Sequence, residues 1–449
     1  MRRRWTRPMV VSLLAASWLG CSDSTGPRPT EQEMSLDFCA SNAPIFFAYQ
    51  NEGGVWTPVT GDAANTFTFA ATDKVAITYV QQVGSSYTTE VIYATRGDLE
   101  PLSGTACTEQ SGTRTLNGSV TGAALAPSVW VTMGRETRQV FGNGGFTISN
   151  LPSSPLDLVA NRDAVIGSTT VPDRVIVRRG INLTSGSTIP ALDFASSEAV
   201  APTTSALSIT GMSANEFNSV DVTFSTPTVV DHDLYYQEGF TTSPQTIYSV
   251  PSSQSQSGDF HTVDLYAEAS SGAFHGLLLF YRVAADRAAP IGPLLSTPTF
   301  SSLSSTQTRR MRMTLPVQTQ YGQIATAVYT QQGSTTRTVF VTGTEGFFNS
   351  PATWTLDMPD LGGISGFPTA ELLQNGVSVT ESASAYGGSP TTYFGGAPAE
   401  GEILRYAGTA SVTTQSLTAA LRAEAEGSSA TRSSRPRALT PFMNRRSTH

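Results

Sequence analysis

The sequence predicts an all-β protein: several small antiparallel β-sandwich domains in series, closed by a disordered C-terminal tail. Three observations carry that expectation. Apolar and polar residues alternate over short runs such as Arg310-Met311-Arg312-Met313-Thr314-Leu315, the mark of a strand with one buried face. Glycine-rich turn signals such as Glu52-Gly53-Gly54, Gly61-Asp62 and Gly84-Ser85 separate the runs about every ten residues. Thr and Val, which favour strands, are among the dominant residues. The 449 residues suffice for about three or four domains.

The chain opens on a leader. Arg2 to Arg7 is basic, and Met9 to Leu19 is apolar but too short to span a bilayer comfortably. That is the pattern of a signal peptide over residues 1–20. The run ends in Trp18-Leu19-Gly20-Cys21-Ser22, followed by a polar stretch to Pro27. This junction resembles the lipobox of bacterial lipoproteins, with Trp18 where that family usually has Leu. The resemblance implies cleavage before Cys21, lipid on its thiol, and an exported chain anchored in the outer membrane or at the cell surface. An ordinary secretory signal with a chance cysteine is the alternative. Residues 21–37 then read as a polar tether.

Cys39 and Cys107 remain in the mature chain and flank the first β-rich block, residues 38–110. In an oxidising compartment the pair reads as a disulfide. Closing that loop stabilises by about 4 kcal/mol in the chain-entropy model. Two unpaired buried thiols are the alternative. Strands are expected at Ile45–Tyr49, Thr66–Phe69, Val75–Val80 and Val91–Thr95. Tyr49 to Trp56 reads as a hairpin whose aromatics pack on each other.

The second block, residues 113–198, contains Gly118-Ser119-Val120, then Val129 to Met133, then Gly144-Gly145-Phe146-Thr147-Ile148-Ser149-Asn150-Leu151-Pro152. Gly144-Gly145 suits a tight hairpin turn, and Phe146 and Ile148 share a face. With the apolar strands up to Phe194, this set resembles the carboxypeptidase regulatory-like domain, a small transthyretin-like sandwich. The resemblance implies an accessory module and carries over no functional residue.

The third block, residues 203–297, alternates at Ser219–Phe224 and His261–Tyr266. Its run Gly276–Val283 is apolar but for Arg282, as in a strand covered on both faces. Ala289 to Pro293 reads as an exit linker. The fourth block, 298–412, has strands near Arg310, Ala325, Thr338 and Thr353, and its boundary with the third is open: the two could be one larger domain. Residues 417–449 read as a short helix and a disordered basic tail, with six arginines against Glu424 and Glu426.

Charge excludes one partner class. Loss of Arg2, Arg3, Arg4 and Arg7 takes the formal charge from −8 to −12, and an acidic surface does not suit nucleic acid. No motif implies a cofactor. Gly363-Ile364-Ser365-Gly366-Phe367 approaches a nucleophile elbow but has Phe367 where the second glycine belongs. His232, His261 and His275 share the third block with Asp231, Asp233, Asp259 and Asp264. A zinc or calcium site is conceivable there, but no metal-ligand spacing occurs, and His261 and Asp264 fall on opposite strand faces. Of Tyr235 and Tyr236, one ring is expected to be exposed; Trp56, Trp130 and Trp354 read as core. The pairs Asp357 with Asp360 and Glu400 with Glu402 lie in loops. The leading expectation is a non-catalytic cell-envelope lipoprotein for adhesion, scaffolding or ligand presentation. A carrier of polysaccharide-binding modules is the alternative, followed by an envelope hydrolase with a carboxylate site. The expected partners are the lipid bilayer and a polysaccharide or envelope protein.

Overall fold

The computed structural model describes residues 30–38, 43–102, 112–153, 155–167, 169–184, 186–303 and 308–414. The leader, Cys21, Cys39, Cys107 and residues 417–449 lie outside the described residues. So do the expectations of a lipid on Cys21, a Cys39–Cys107 disulfide and a basic tail. The chain is all-β, with helices of a single turn. Among the described residues no helix is long and apolar enough to cross a membrane.

The first block holds β1 (Gln32–Asp37), β2 (Phe46–Asn51), β3 (Thr57–Pro58), β4 (Thr66–Ala71), β5 (Lys74–Val83), β6 (Ser86–Thr95) and α1 (Arg96–Leu99). The tether expected over 21–37 ends at Gln32, because Met34, Leu36 and Phe38 alternate with polar residues and are buried. β1 pairs antiparallel with β4. The β2–β3 hairpin forms, but its aromatics part company. Tyr49 stacks on Phe69, whereas Trp56 packs into the core on the other face of the sheet.

The second block is a self-contained sandwich. Its strands are β7 (Arg114–Thr121), β8 (Val129–Met133), β9 (Glu136–Val140), β10 (Gly144–Leu151), β11 (Leu156–Ile166), β12 (Thr169–Ile181), β13 (Ser187–Thr188) and β14 (Leu192–Asp193). One sheet is β10-β7 with β13 and β14 parallel to β7; the other is β12-β11-β8-β9. Leu116, Val131, Ile148, Leu158, Ile176 and Phe194 meet between them. The glycine that its turn requires is Gly142, at φ +64°, not Gly144-Gly145. That turn passes from one sheet to the other, so it is an arch and not a hairpin.

The third block holds β15 (Thr203–Thr210), β16 (Phe217–Ser225), β17 (His232–Glu238), β18 (Gln245–Ser249), β19 (Phe260–Glu268), β20 (Phe274–Tyr281) and β21 (Arg287–Pro290). The fourth holds β22 (Thr299–Leu303), β23 (Arg310–Pro316), β24 (Ile324–Gln331), β25 (Thr336–Thr344), α2 (Glu345–Phe348), β26 (Thr353–Asp357), β27 (Val379–Gly387), α3 (Pro390–Tyr393), β28 (Ile403–Gly408) and β29 (Val412–Thr414). β20 is buried along its whole length, as its apolar run requires. The linker expected at Ala289 begins instead as β21, parallel to β15, with Ala289 buried.

Blocks one, three and four share one sheet of thirteen strands, ordered β17-β16-β19-β20-β28-β27-β24-β25-β6-β5-β2-β3, with β29 beside β27. Two seams join them. β20 runs antiparallel to β28 from Phe274 opposite Gly408 to Leu279 opposite Ile403. β6 runs parallel to β25 from Ser86 beside Thr336 to Tyr93 beside Gly343. Short sheets cover this long one. β18-β15-β21 packs over β16, β19 and β20, and β22-β23-β26 over β24 and β25. β1-β4 lies on the opposite face: Tyr79 of β5 faces it while Val80 faces the β23 side.

The second sandwich docks on the third block mainly through side chains, with one backbone bond from the Val230 N–H to the Gly134 carbonyl at 2.9 Å. Val159 and Val175 meet Phe224, Val229, Leu234 and Val250. Arg179 bridges Asp157 at 3.0 Å and Asp259 at 2.5 Å, and donates to the Gln254 carbonyl at 2.8 Å. Burial opposes the Arg179 charge, but the two carboxylates outweigh it and raise its pKa.

Candidate functional site

The third block has a second sheet face, exposed at Phe217, Asp233, Tyr236 and Glu238 and half-buried or buried along the rest of β16 and β19. Along β16, β19 and β20, every second residue (Val220, Val222, Val263, Leu265, Leu277 and Leu279) turns into the core under β15 and β18. The alternate positions must therefore face the other way. On β16 these are Phe217, Ser219, Asp221 and Thr223, and on β19 Thr262, Asp264, Tyr266 and Glu268. A register shift in β17 after the pair Val222–Tyr235 keeps Tyr236 opposite Asp221 and Asp233 opposite Thr223. Period-two logic thus resolves Tyr235 from Tyr236. Tyr235 is buried, and Tyr236 is exposed beside Glu238.

Hydrogen bonds order this face. Tyr236 Oη donates to Glu238 Oε2 at 2.7 Å, and Tyr266 Oη to Glu268 Oε2 at 2.6 Å. Asp221 and Asp264 are directly opposed across β16 and β19. Like charges at such positions repel. Tyr406 of β28 moderates this by donating its Oη to Asp264 Oδ1 at 2.6 Å. Burial first, then Asp264, holds that phenol well above its ordinary pKa, so it stays a donor. The ring reaches Asp264 by crossing Gly276, where a Cβ would stand 2.5 Å from Tyr406 Oη. Tyr266 also stacks on Phe274 at 5.8 Å. The result is a flat surface of aromatic rings and carboxylate acceptors, with exposed Phe217 at one end.

The three block-three histidines are buried and dispersed, tied to different partners. His232 Nδ1 hydrogen-bonds with Thr132 Oγ1 of the second sandwich at 2.7 Å. His261 Nε2 accepts from the Val250 N–H at 2.9 Å, and its ring lies on Tyr281 at 4.8 Å. His275 Nδ1 donates to the Gly292 carbonyl at 2.5 Å, and its Nε2 stands 3.2 Å from Glu216. Burial lowers the pKa of His232 and of His261 to about 3, so both are neutral. His261 and Asp264 face opposite ways, as expected from their spacing. Among the described residues no group of three His, Cys, Asp or Glu side chains is placed to hold a metal ion.

The remaining candidates serve packing. Asp357 pairs with Arg312 through both oxygens, at 2.5 and 2.6 Å. Glu400 accepts from Arg287 and from the Arg282 backbone, and Glu402 from the Ala399 backbone. Trp354 is fully buried, and Trp130 donates its Nε1 to Asp163 at 3.1 Å. Ser365 and Gly366 form one wall of a shallow cleft of about 400 Å³, opposite Ile45 and Pro58. Phe367 turns away and packs on Phe46 at 4.8 Å. Asp221, Tyr266, Glu268 and Tyr406 were not singled out by sequence. The signal present was polar residues at the outward positions of alternating strands, but register is needed to bring them together. No family model matches the sequence, and no curated protein matches it.

Proposed function

We propose that the chain is a non-catalytic cell-envelope lipoprotein, anchored through Cys21, that presents a ligand-binding surface. The observation that supports this is the tyrosine–carboxylate face of β16, β17 and β19, open at Phe217, Asp233, Tyr236 and Glu238 and held on a sheet that runs through three blocks. An open face suits recognition, whereas turnover calls for a concave site that excludes water. The sandwich over 113–198 serves as an accessory module similar to the carboxypeptidase regulatory-like domain.

Polysaccharide is the ligand class the face favours. Exposed rings such as Tyr236 and Phe217 stack on sugar rings, and the exposed carboxylates of Glu238 and Asp233 accept from hydroxyls. Thermal melts of residues 22–449 with envelope polysaccharides test this. A ligand at a hundredfold excess over its Kd stabilises by about 2.7 kcal/mol, and Tyr236→Ala with Phe217→Ala should abolish that gain. A shift that survives both substitutions moves the ligand elsewhere; no shift with any polysaccharide leaves a protein partner for this face. Anchoring has its own test. Radiolabelled palmitate should label the wild type and not Cys21→Ser, and equal labelling overturns the lipid assignment.

A further inference from the structure

Three loops of the second sandwich meet at one pole. Residues 122–128 join β7 to β8, residues 141–143 join β9 to β10, and β11 turns into β12 beyond Ile166. Their contacts show them to be neighbours. The Ala123 N–H donates to Asn143 Oδ1 at 2.7 Å, Arg162 donates to the Gly122 carbonyl at 2.6 Å, and the Asp163 N–H donates to the Ser128 carbonyl at 2.9 Å.

Each loop lifts apolar side chains into solvent: Leu125 is 100% exposed, Phe141 72%, Val165 60% and Ile166 65%. Single exposed hydrophobics are ordinary, but four large ones at one pole are not. The loop residues carry no charge. They read Gly122-Ala123-Ala124-Leu125-Ala126-Pro127-Ser128, Phe141-Gly142-Asn143 and Val165-Ile166-Gly167. The core beneath does not need these side chains, since it closes on Leu116, Val131 and Ile148.

We propose that this pole is a membrane-docking tip, which sinks Leu125, Phe141, Val165 and Ile166 into the interfacial layer of a lipid bilayer. Shape and charge favour a bilayer over a protein. The apolar groups stand on protruding loop ends, which enter a soft phase without a matching pocket, and the charges beside them, Arg162 and Asp173, are already paired with each other at 2.5 Å. Chain length agrees, and this part rests on the lipid-anchor reading above. Ten residues separate Cys21 from Gln32 at the start of β1, a reach of about 36 Å at full extension. A tether of that length keeps the body close to the membrane, so a tip of modest affinity is enough.

The test uses residues 22–449 without lipid, sedimented with vesicles of phosphatidylethanolamine and phosphatidylglycerol. The wild type should co-sediment, and Leu125→Ser, Phe141→Ser and Ile166→Ser together should reduce binding at least tenfold with an unchanged melting temperature. A separate Leu125→Trp variant should show blue-shifted emission on vesicles and quenching by brominated lipid. Absence of sedimentation overturns the proposal, as does equal sedimentation of the triple variant. A dimer in light scattering that the triple variant abolishes, without vesicle binding, reassigns the pole to contact between two copies. Because this chain bears no lipid, failure here leaves the palmitate test of Cys21 to stand on its own.

Discussion

The second sandwich and the first block are attached to the rest of the molecule in different ways. The first block donates a strand: β6 hydrogen-bonds along its length to β25, so its sheet and that of the fourth block are one object. The second sandwich keeps its own core and touches the third block through an apolar patch, an arginine between two carboxylates, a histidine–threonine pair and a single backbone bond from Val230 to Gly134. A seam of backbone hydrogen bonds cannot open without exposing unpaired N–H and C=O groups on both sides. An interface of side chains and one backbone bond can separate and leave two intact cores. The fused sheet should therefore melt as one unit, and the docked sandwich should be separable from it.

The largest expected effect comes from attacking the seam. Val341 of β25 is fully buried, and Val341→Asp places an unpaired charge there, costing about 5 kcal/mol or more. Hydrogen exchange should show first, third and fourth blocks losing protection together while Val131 and Leu158 of the sandwich keep theirs. Loss confined to the fourth block would break the comparison. Next comes the clamp. Arg179→Ala leaves Asp259, with its side chain 2% exposed, buried without its partner, a cost of about 3–5 kcal/mol borne by docking. Calorimetry should then resolve two transitions where the wild type shows one.

Acid should act on both regions through separate histidines. His232 and His261 have folded pKa values of about 3 against an ordinary 6.5, so the unfolded chain binds more protons between those values. Their contribution is complete above about pH 6.5 and is lost as pH falls towards 3, at about 1.4 kcal/mol per pH unit for each. His232→Gln should flatten the pH dependence of the docking step, and His261→Gln that of the sheet. Smallest is Arg312→Ala. Its pair with Asp357 is solvent-exposed, and no measurable shift of the melting transition is expected.

Strand positions were legible because each strand with one buried face writes a period of two into its residues. Val129–Met133 coincides with β8, and the unbroken apolar run at Gly276 announces burial of β20 on both faces. The same period separates Tyr235 from Tyr236. Partnership between strands was not legible, because strand edges meet through backbone groups that every residue carries. Nothing in Ser86 to Thr95 names Thr336 to Thr344 as a neighbour. The candidate face was half visible for that reason: Tyr236 and Asp264 stood out singly, whereas Tyr406 reaches Asp264 from 142 residues away. β1 was missed because Glu33, Ser35 and Asp37 gave the segment a tether's polarity, while Met34 and Leu36 carried the strand.

The parallel seam also dictates an order of assembly. β6 and β25 lie about 250 residues apart in the chain, so the first block emerges long before the strand that completes it. Until Thr336 to Thr344 arrive, β6 offers an unpaired edge to any other extended segment. Contacts so distant in sequence make for slow folding. A chain truncated after the third block would lack the partner that its own beginning requires, and the last third of the polypeptide decides whether the first can settle.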